Sequence, residues 1–169
     1  MGKKKDYRPL LKTPFDTGIR NFPSVAKYFL YYVPSIDSAQ SPGDIADENA
    51  TALLKEMLKR TDMDKSARFL KRIHPASWKK DSLDGTALDF DKPRMLCDKY
   101  GSENELHALL RHVRNALAHG YVYAWKKRDW NRVLLIDFDS KKHKPTAKIL
   151  VSLPILEQWK GVLDNEIVN

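Results

Sequence analysis

Ser102-Glu103-Asn104-Glu105-Leu106-His107-Ala108-Leu109-Leu110-Arg111-His112-Val113-Arg114-Asn115-Ala116-Leu117-Ala118-His119-Gly120 governs how the rest of the chain is read. It opens with the Ser-x-x-Glu spacing of a capping box, Ser102 and Glu105 in reciprocal roles. It closes on Gly120, where a helix C-terminus favours positive φ. Between them Leu106, Leu109, Leu110, Val113 and Leu117 recur at helical spacing. Counting about 100° per residue from Arg114, they fall between about 220° and 320°, one core-facing stripe. His107, Arg111, His112, Arg114, Asn115 and His119 fall between about 0° and 160°. That second face is basic and rich in imidazole, and the helix itself places neither lysine nor carboxylate on it.

Upstream, Ala46, Ala50, Leu53, Leu54, Met57 and Leu58 predict a helix over 45–60. A shorter aromatic helix is predicted over 24–33, with Ser24 as its N-cap and Pro34 as its stop. Ala67, Phe69, Leu70 and Ile73 predict another over 64–73, ending before Pro75, and Pro93 is expected to open a short helix carrying Met95 and Leu96. Residues 35–44 read as a loop, 75–92 as irregular, and 1–23 as a basic N-terminal arm punctuated by Pro9, Pro14 and Pro23.

Beyond Gly120 the period changes from helical to alternating. Residues 121–125, 132–138 and 148–153 read as strands, joined by polar hairpin loops at 126–131 and 139–145. Pro154 opens a last amphipathic helix, 154–166, through Leu156, Trp159 and Leu163. The expected fold is mainly α: a single domain over 1–169, a helical bundle with a small antiparallel sheet (121–153) near its C-terminus.

A length of 169 residues fits one hydrophobic core. No apolar run approaches the roughly 20 residues that span a bilayer. The start, Met1-Gly2-Lys3-Lys4-Lys5-Asp6, lacks the apolar stretch of a signal peptide, and Asp6 stands where a myristoylation signal has Ser or Thr. Cys97 is the sole cysteine, which excludes an internal disulfide and a thiolate metal cluster. A cytoplasmic location without membrane association is therefore expected. Thirty Lys and Arg against 22 Asp and Glu give a net charge of +8. That surplus favours a polyanionic partner through phosphate contacts and counterion release.

Internal cleavage of RNA without a metal needs a base for the 2′-hydroxyl proton, an acid for the leaving 5′-oxygen and cations for the phosphorane charge. Histidine suits the proton transfers and arginine the phosphate. Arg114 and His119 are the candidates. Asn115, four residues before His119, shares its face and could orient the ring or a phosphate oxygen. Arg114 lies about 140° round the axis and roughly 7.5 Å along it from His119, so a single helix is poorly placed to focus both on one phosphate. Two copies across a two-fold axis would do so and would supply a second His119.

Arg114-Asn115-Ala116-Leu117-Ala118-His119 resembles the Arg-x4–6-His signature of the HEPN superfamily, polar residue after the arginine included. The surrounding Leu109–Gly120 is similar to the motif helix of plasmid-type HEPN-family nucleases. The resemblance implies a HEPN-like helical core, a homodimer with the motif at its interface, and metal-independent endoribonuclease activity with no cofactor. Such proteins serve as toxins or phage-defence effectors, so an antitoxin or regulatory protein is a further expected partner. Arg114 and His119 would be catalytic and Asn115 the accessory polar position. Some members of the superfamily only bind, so a catalytically silent RNA- or protein-binding module is the alternative; a basic binding protein outside the family is the third reading.

Weaker signals surround this helix. Arg111, His112 and His107 are candidate RNA-binding residues, although a surface or interface histidine is the plainer reading of His112 and solvent exposure serves Arg111 and His107 as well. Tyr121, Tyr123 and Trp125 lead into Lys126-Lys127-Arg128 and resemble a base-stacking platform, but alternating aromatics more often pack in a core. Asp137 and Asp139 point the same way, yet no third carboxylate stands at ligand spacing, and a metal site is rejected. No glycine-rich phosphate loop is present.

Overall fold

The computed structural model describes residues 17–34, 43–84, 91–127 and 130–167. The element order is α1 (Phe22–Lys27), continued by a π-helical turn (Tyr28–Tyr32), then α2 (Asp47–Arg60), β1 (Ala67–Leu70), α3 (Pro75–Lys80) and β2 (Arg94–Asp98). It continues with α4 (Glu105–His119), β3 (Val122–Lys127), β4 (Trp130–Phe138), β5 (Pro145–Val151) and α5 (Leu153–Ile167). The strands form a single five-stranded sheet in the order β1-β2-β5-β4-β3. β1 and β2 are parallel and the other neighbours antiparallel.

This architecture corrects the expected helical bundle: the chain is mixed α/β, with a mixed sheet at its centre. Two segments expected as helices, 64–73 and the stretch after Pro93, contain β1 and β2. Ala67, Phe69 and Leu70 suit helical spacing on paper, but Ala67 and Phe69 face one side of the sheet while Leu70 faces the other. In β2, Met95 and Cys97 face one core and Leu96 the other, so the strand is apolar on both sides and carries no visible alternation. The helix propensity of Met and Leu yields to pairing on both edges, since Met95 sits opposite both Ala67 and Ile149. Pro75 does not merely stop an element. It opens α3 at the first helical turn, inside the segment expected to be irregular.

Helices cover one face of the sheet. Phe69, Met95, Cys97, Val122, Val133, Leu135, Ala147, Ile149 and Val151 pack there with the apolar faces of α4, α2, α5 and α1. Trp159 of α5 is fully buried and donates from Nε1 to Thr61 Oγ1 at 3.2 Å, and that hydroxyl donates on to the Met57 carbonyl at 2.8 Å. One polar link thus ties α5 to the end of α2. The other face carries a smaller core: Trp78 and Leu83 against Leu96, Tyr123, Leu134, Ile136 and Leu150.

The expected stripe of α4 is the buried one: Leu106, Leu109, Leu110, Val113 and Leu117 are all buried. Its N-terminus differs from the expected box. The N-cap is Asn104, whose side chain accepts from Leu106 N at 2.8 Å, two residues after Ser102. Glu103, not Glu105, reaches back three residues to accept from Tyr100 N at 2.9 Å. At the other end Gly120 has φ 72°, and Tyr121 N donates to Ala116 O at 3.0 Å, a Schellman closure that turns the chain into β3. The expected arm up to residue 16, most of the 35–44 loop and the tip of the 126–131 loop lie outside the described residues. α1 already begins at Phe22, with Pro23 in its first turn rather than Ser24 as N-cap.

Candidate functional site on the face of α4

α4 is the central helix, with β4, β2 and β5 on one side and α2 and the π-helical turn on the other. Its polar residues therefore meet three different surroundings. His119 is exposed in the last turn, next to the Gly120 cap. Arg114 is half-buried, and its Nε donates to the Leu30 carbonyl at 3.4 Å. Pro34 has no N–H, so an α-helical continuation could not have satisfied that carbonyl, and the arginine supplies a donor instead. Asn115, also half-buried, donates from Nδ2 to Asp137 Oδ2 at 3.2 Å.

The three candidate RNA-binding residues are engaged within the protein. His112 is fully buried, which corrects its reading as a surface histidine and leaves it no surface for RNA. Its Nδ1 lies 2.7 Å from Asp137 Oδ2, and its Nε2 lies 2.9 Å from the Asp98 carbonyl and 3.0 Å from Asp98 Oδ1. Arg111 is half-buried and forks onto Glu103, Nε to Oε1 at 2.9 Å and a terminal nitrogen to Oε2 at 3.0 Å. Its guanidinium lies 3.6 Å from Asp98 Oδ1 and 4.0 Å from the centre of the Tyr100 ring. His107 Nδ1 stands 3.8 Å from Asp47 Oδ1 of α2.

Both ring nitrogens of His112 face only acceptors, so both must donate, and the ring is an imidazolium. The single Nε2 hydrogen is taken by the Asp98 carbonyl. Asp98 Oδ1, though close by, is left as a buried oxygen with no hydrogen bond. Burial alone would push the His112 pKa down. The hydrogen bonds to Asp137 and Asp98 outweigh that, against the opposing charge of Arg111, and hold it above its ordinary 6.5. Glu103 sits below its ordinary 4.5: burial pulls it upward, but the hydrogen bonds from Arg111 and Tyr100 N prevail. The cluster therefore joins two cations, His112 and Arg111, to three carboxylates, Asp98, Glu103 and Asp137.

The carboxylates come from β2, β4 and the turn before α4, not from α4 itself. This is why a reading of the helix alone found no acid on its basic face. A signal for Asp137 did exist. Strict alternation along β4 places it on the same side as Val133 and Leu135, the side that faces the core. Asp139 does a separate job, accepting from Lys141 N and Lys142 N at 2.8 and 2.9 Å to close the β4–β5 turn. Among the described residues no group of three or more His, Cys, Asp or Glu is placed to hold a metal ion. Cys97 is fully buried, and burial pushes its thiol up, away from the reactive thiolate form.

The aromatic candidates also separate. Tyr123 is buried and stacks on Trp125 with ring centres 6.5 Å apart, as core packing requires. Tyr121 precedes β3, is exposed, and sets its edge against Phe138 at 4.7 Å. No helix among the described residues is long and apolar enough to cross a membrane.

A family model described as HEPN pEK499 p136 matches residues 46–164, from the start of α2 through most of α5. No curated protein and no solved structure matches the chain.

Proposed function

The chain belongs to the HEPN family, and from that premise we propose that it is a metal-independent endoribonuclease with Arg114 and His119 as its catalytic residues. The observation that carries the reading is the arrangement of α4. Its buried network with Asp137 and Asp98 holds the helix against the sheet, with the motif's His119 exposed in the last turn and its Arg114 half-buried beside the π-helical turn. Arg114 binds the scissile phosphate with its planar fork and stabilises the phosphorane charge. His119 carries the proton transfers, and Asn115 is the accessory polar group. The attacking nucleophile is the internal 2′-hydroxyl, so the products end in a 2′,3′-cyclic phosphate or 3′-phosphate.

Arg114 and His119 stand about 140° apart on the helix and roughly 7.5 Å along it. The active form is accordingly a two-fold dimer that places α4 of each copy near the other. The biological setting that suits such an activity is that of a toxin or phage-defence effector held in check by a partner protein.

The test is cleavage of an RNA oligonucleotide beside the same sequence carrying one 2′-deoxy sugar at the mapped scissile site, with EDTA present. Cleavage of the first and not the second is expected. Equal cleavage of both refutes the mechanism, and an enzyme that is active as a monomer by light scattering refutes the dimer.

A further inference from the structure

We propose that Asp137 is a positioning residue of the α4 site: it holds the side-chain amide of Asn115, and His112 holds Asp137. The proposal rests on the endoribonuclease reading above and adds a residue to it from outside the motif helix.

A single oxygen, Asp137 Oδ2, accepts from both His112 Nδ1 at 2.7 Å and Asn115 Nδ2 at 3.2 Å. Because Oδ2 can only accept, it also decides which way the Asn115 amide is turned: nitrogen toward the sheet, carbonyl oxygen away from it. The amide that follows Arg114 in the motif is thereby set in one orientation before any substrate arrives. A half-buried asparagine without such a partner would sample both flips.

Asp137 is itself buried. Its place in β4 is opposite Ala147, whose small side chain leaves room above the strand, and Ala147 in turn sits opposite Cys97 of β2. The row Asp137–Ala147–Cys97 gives α4 a shallow seat in which the His112 ring is wholly buried. His112 is braced at its far side by the Asp98 carbonyl at 2.9 Å. The line of support runs from β2 through His112 to β4 and back out to Asn115. A merely structural ion pair would need the Asp137–His112 contact alone. The second bond, to the polar residue of the motif, is what directs this pair toward the site.

A double-mutant cycle separates the two roles. Asp137→Asn keeps the shape and an acceptor oxygen but makes the bond to Asn115 neutral and weaker, so single-turnover cleavage should slow by about tenfold with KM within about twofold. Asn115→Ala should slow cleavage by at least as much. In the Asn115→Ala background, Asp137→Asn should change the rate no further, while still lowering stability in urea as it does alone. Additive losses of rate in the double variant overturn the proposal, as does a parental rate in folded Asp137→Asn. Should Asp137→Asn fail to fold, Asn115→Asp breaks the same bond by facing one carboxylate with another, and a parental rate there overturns it equally. The Asn115 side-chain amide protons, followed by NMR, supply a readout free of activity. They should exchange slowly in the parent and quickly in Asp137→Asn. An inactive parent overturns the endoribonuclease reading, and the amide protons then decide by themselves whether Asp137 holds Asn115.

Discussion

His112 Nδ1 stands 2.7 Å from Asp137 Oδ2, buried between α4 and the sheet. That contact sets the rotation of α4 about its axis. With His112 pointing at β4, the leucine stripe meets the main core, Asn115 reaches the same aspartate, and Arg114 is turned to the π-helical turn at Leu30. A bundle helix held by leucines alone could slide or roll by a fraction of a turn. A directional, charged pair cannot be satisfied in a rolled helix.

This pair makes stability depend on pH with a defined sign. The folded-state pKa of His112 is raised above 6.5. Protonation is therefore favoured by folding, and the gain is fully present below the unfolded value of about 6.5. It is lost as pH rises through the raised folded value. Glu103 has the opposite sign: its lowered pKa contributes stability above its ordinary 4.5 that is lost as pH falls below it. Urea unfolding across a pH series should show the parent losing stability as pH rises above about 6.5, and His112→Gln should flatten that slope. An equal slope in the variant assigns the dependence to other groups.

Removal of the imidazole altogether should be costly. His112→Ala leaves the carboxylate of Asp137 buried without its cation and removes the nearer of the two cations beside Asp98 Oδ1, Arg111 remaining at 3.6 Å. Breaking a buried pair in this way typically costs about 3–5 kcal/mol, because the remaining charge is left uncompensated. The urea midpoint reports the loss. A change under about 1 kcal/mol would mean that water or Arg111 replaces the imidazolium at little cost.

The long helices were readable because each has one wet side and one dry side, whereas β3, β4 and β5, buried on both faces, were readable as apolar runs set off by the polar loops between them. α2, α4, α5 and the strands β3, β4 and β5 were expected near their observed positions. β1 and β2 were not, for a common reason. β1 has four residues, and β2 is paired on both edges and apolar on both faces, so neither displays an alternation to read. β2 depends on pairing with β5, some 50 residues further along the chain, and β1 depends in turn on pairing with β2. The N-cap moved from Ser102 to Asn104 because local spacing cannot show that Glu103, rather than Glu105, turns back to the Tyr100 amide. Within the site, the motif residues of α4 are visible in the chain. Their supports belong to other elements: Asp98 ends β2, which was expected as a helix, and Asp137 lies on β4, which was expected as a strand but not as the neighbour of α4.

Gly120 offers a local test of the link between fold and site. Its φ of 72° lies in the left-handed region, and it follows His119 directly. Gly120→Ala places a Cβ in that conformation at a cost of about 1 kcal/mol, and Gly120→Val should cost more. Loosening of the Schellman closure also frees the last turn of α4, so cleavage should fall alongside stability, whereas Gly43→Ala, also at positive φ but remote in sequence, should affect stability alone. Thermal unfolding measured beside single-turnover rates checks both. Unchanged cleavage in a destabilised Gly120→Ala separates the cap from the position of His119.

The contrast between Arg114 and His119 is the most direct examination of the proposed chemistry. His119→Ala removes the proton-transfer group, typically worth about 10² to 10⁴ in rate. RNA binding should scarcely change, because a neutral imidazole adds little to phosphate affinity. Arg114→Ala should abolish turnover too, but it also removes a phosphate-binding cation, so affinity should fall and its salt dependence flatten by nearly one unit of slope. Arg114→Lys restores the charge without the planar fork and should recover binding more than catalysis. His119 is exposed, so His119→Ala should leave stability unchanged. Arg114 also holds the Leu30 carbonyl, so Arg114→Ala should cost about 1 kcal/mol and leave the fold intact. Single-turnover cleavage, binding titrations at two salt concentrations and circular dichroism on each variant give the comparison. If folded, dimeric His119→Ala cleaves at the parental rate, the active site lies elsewhere than on α4.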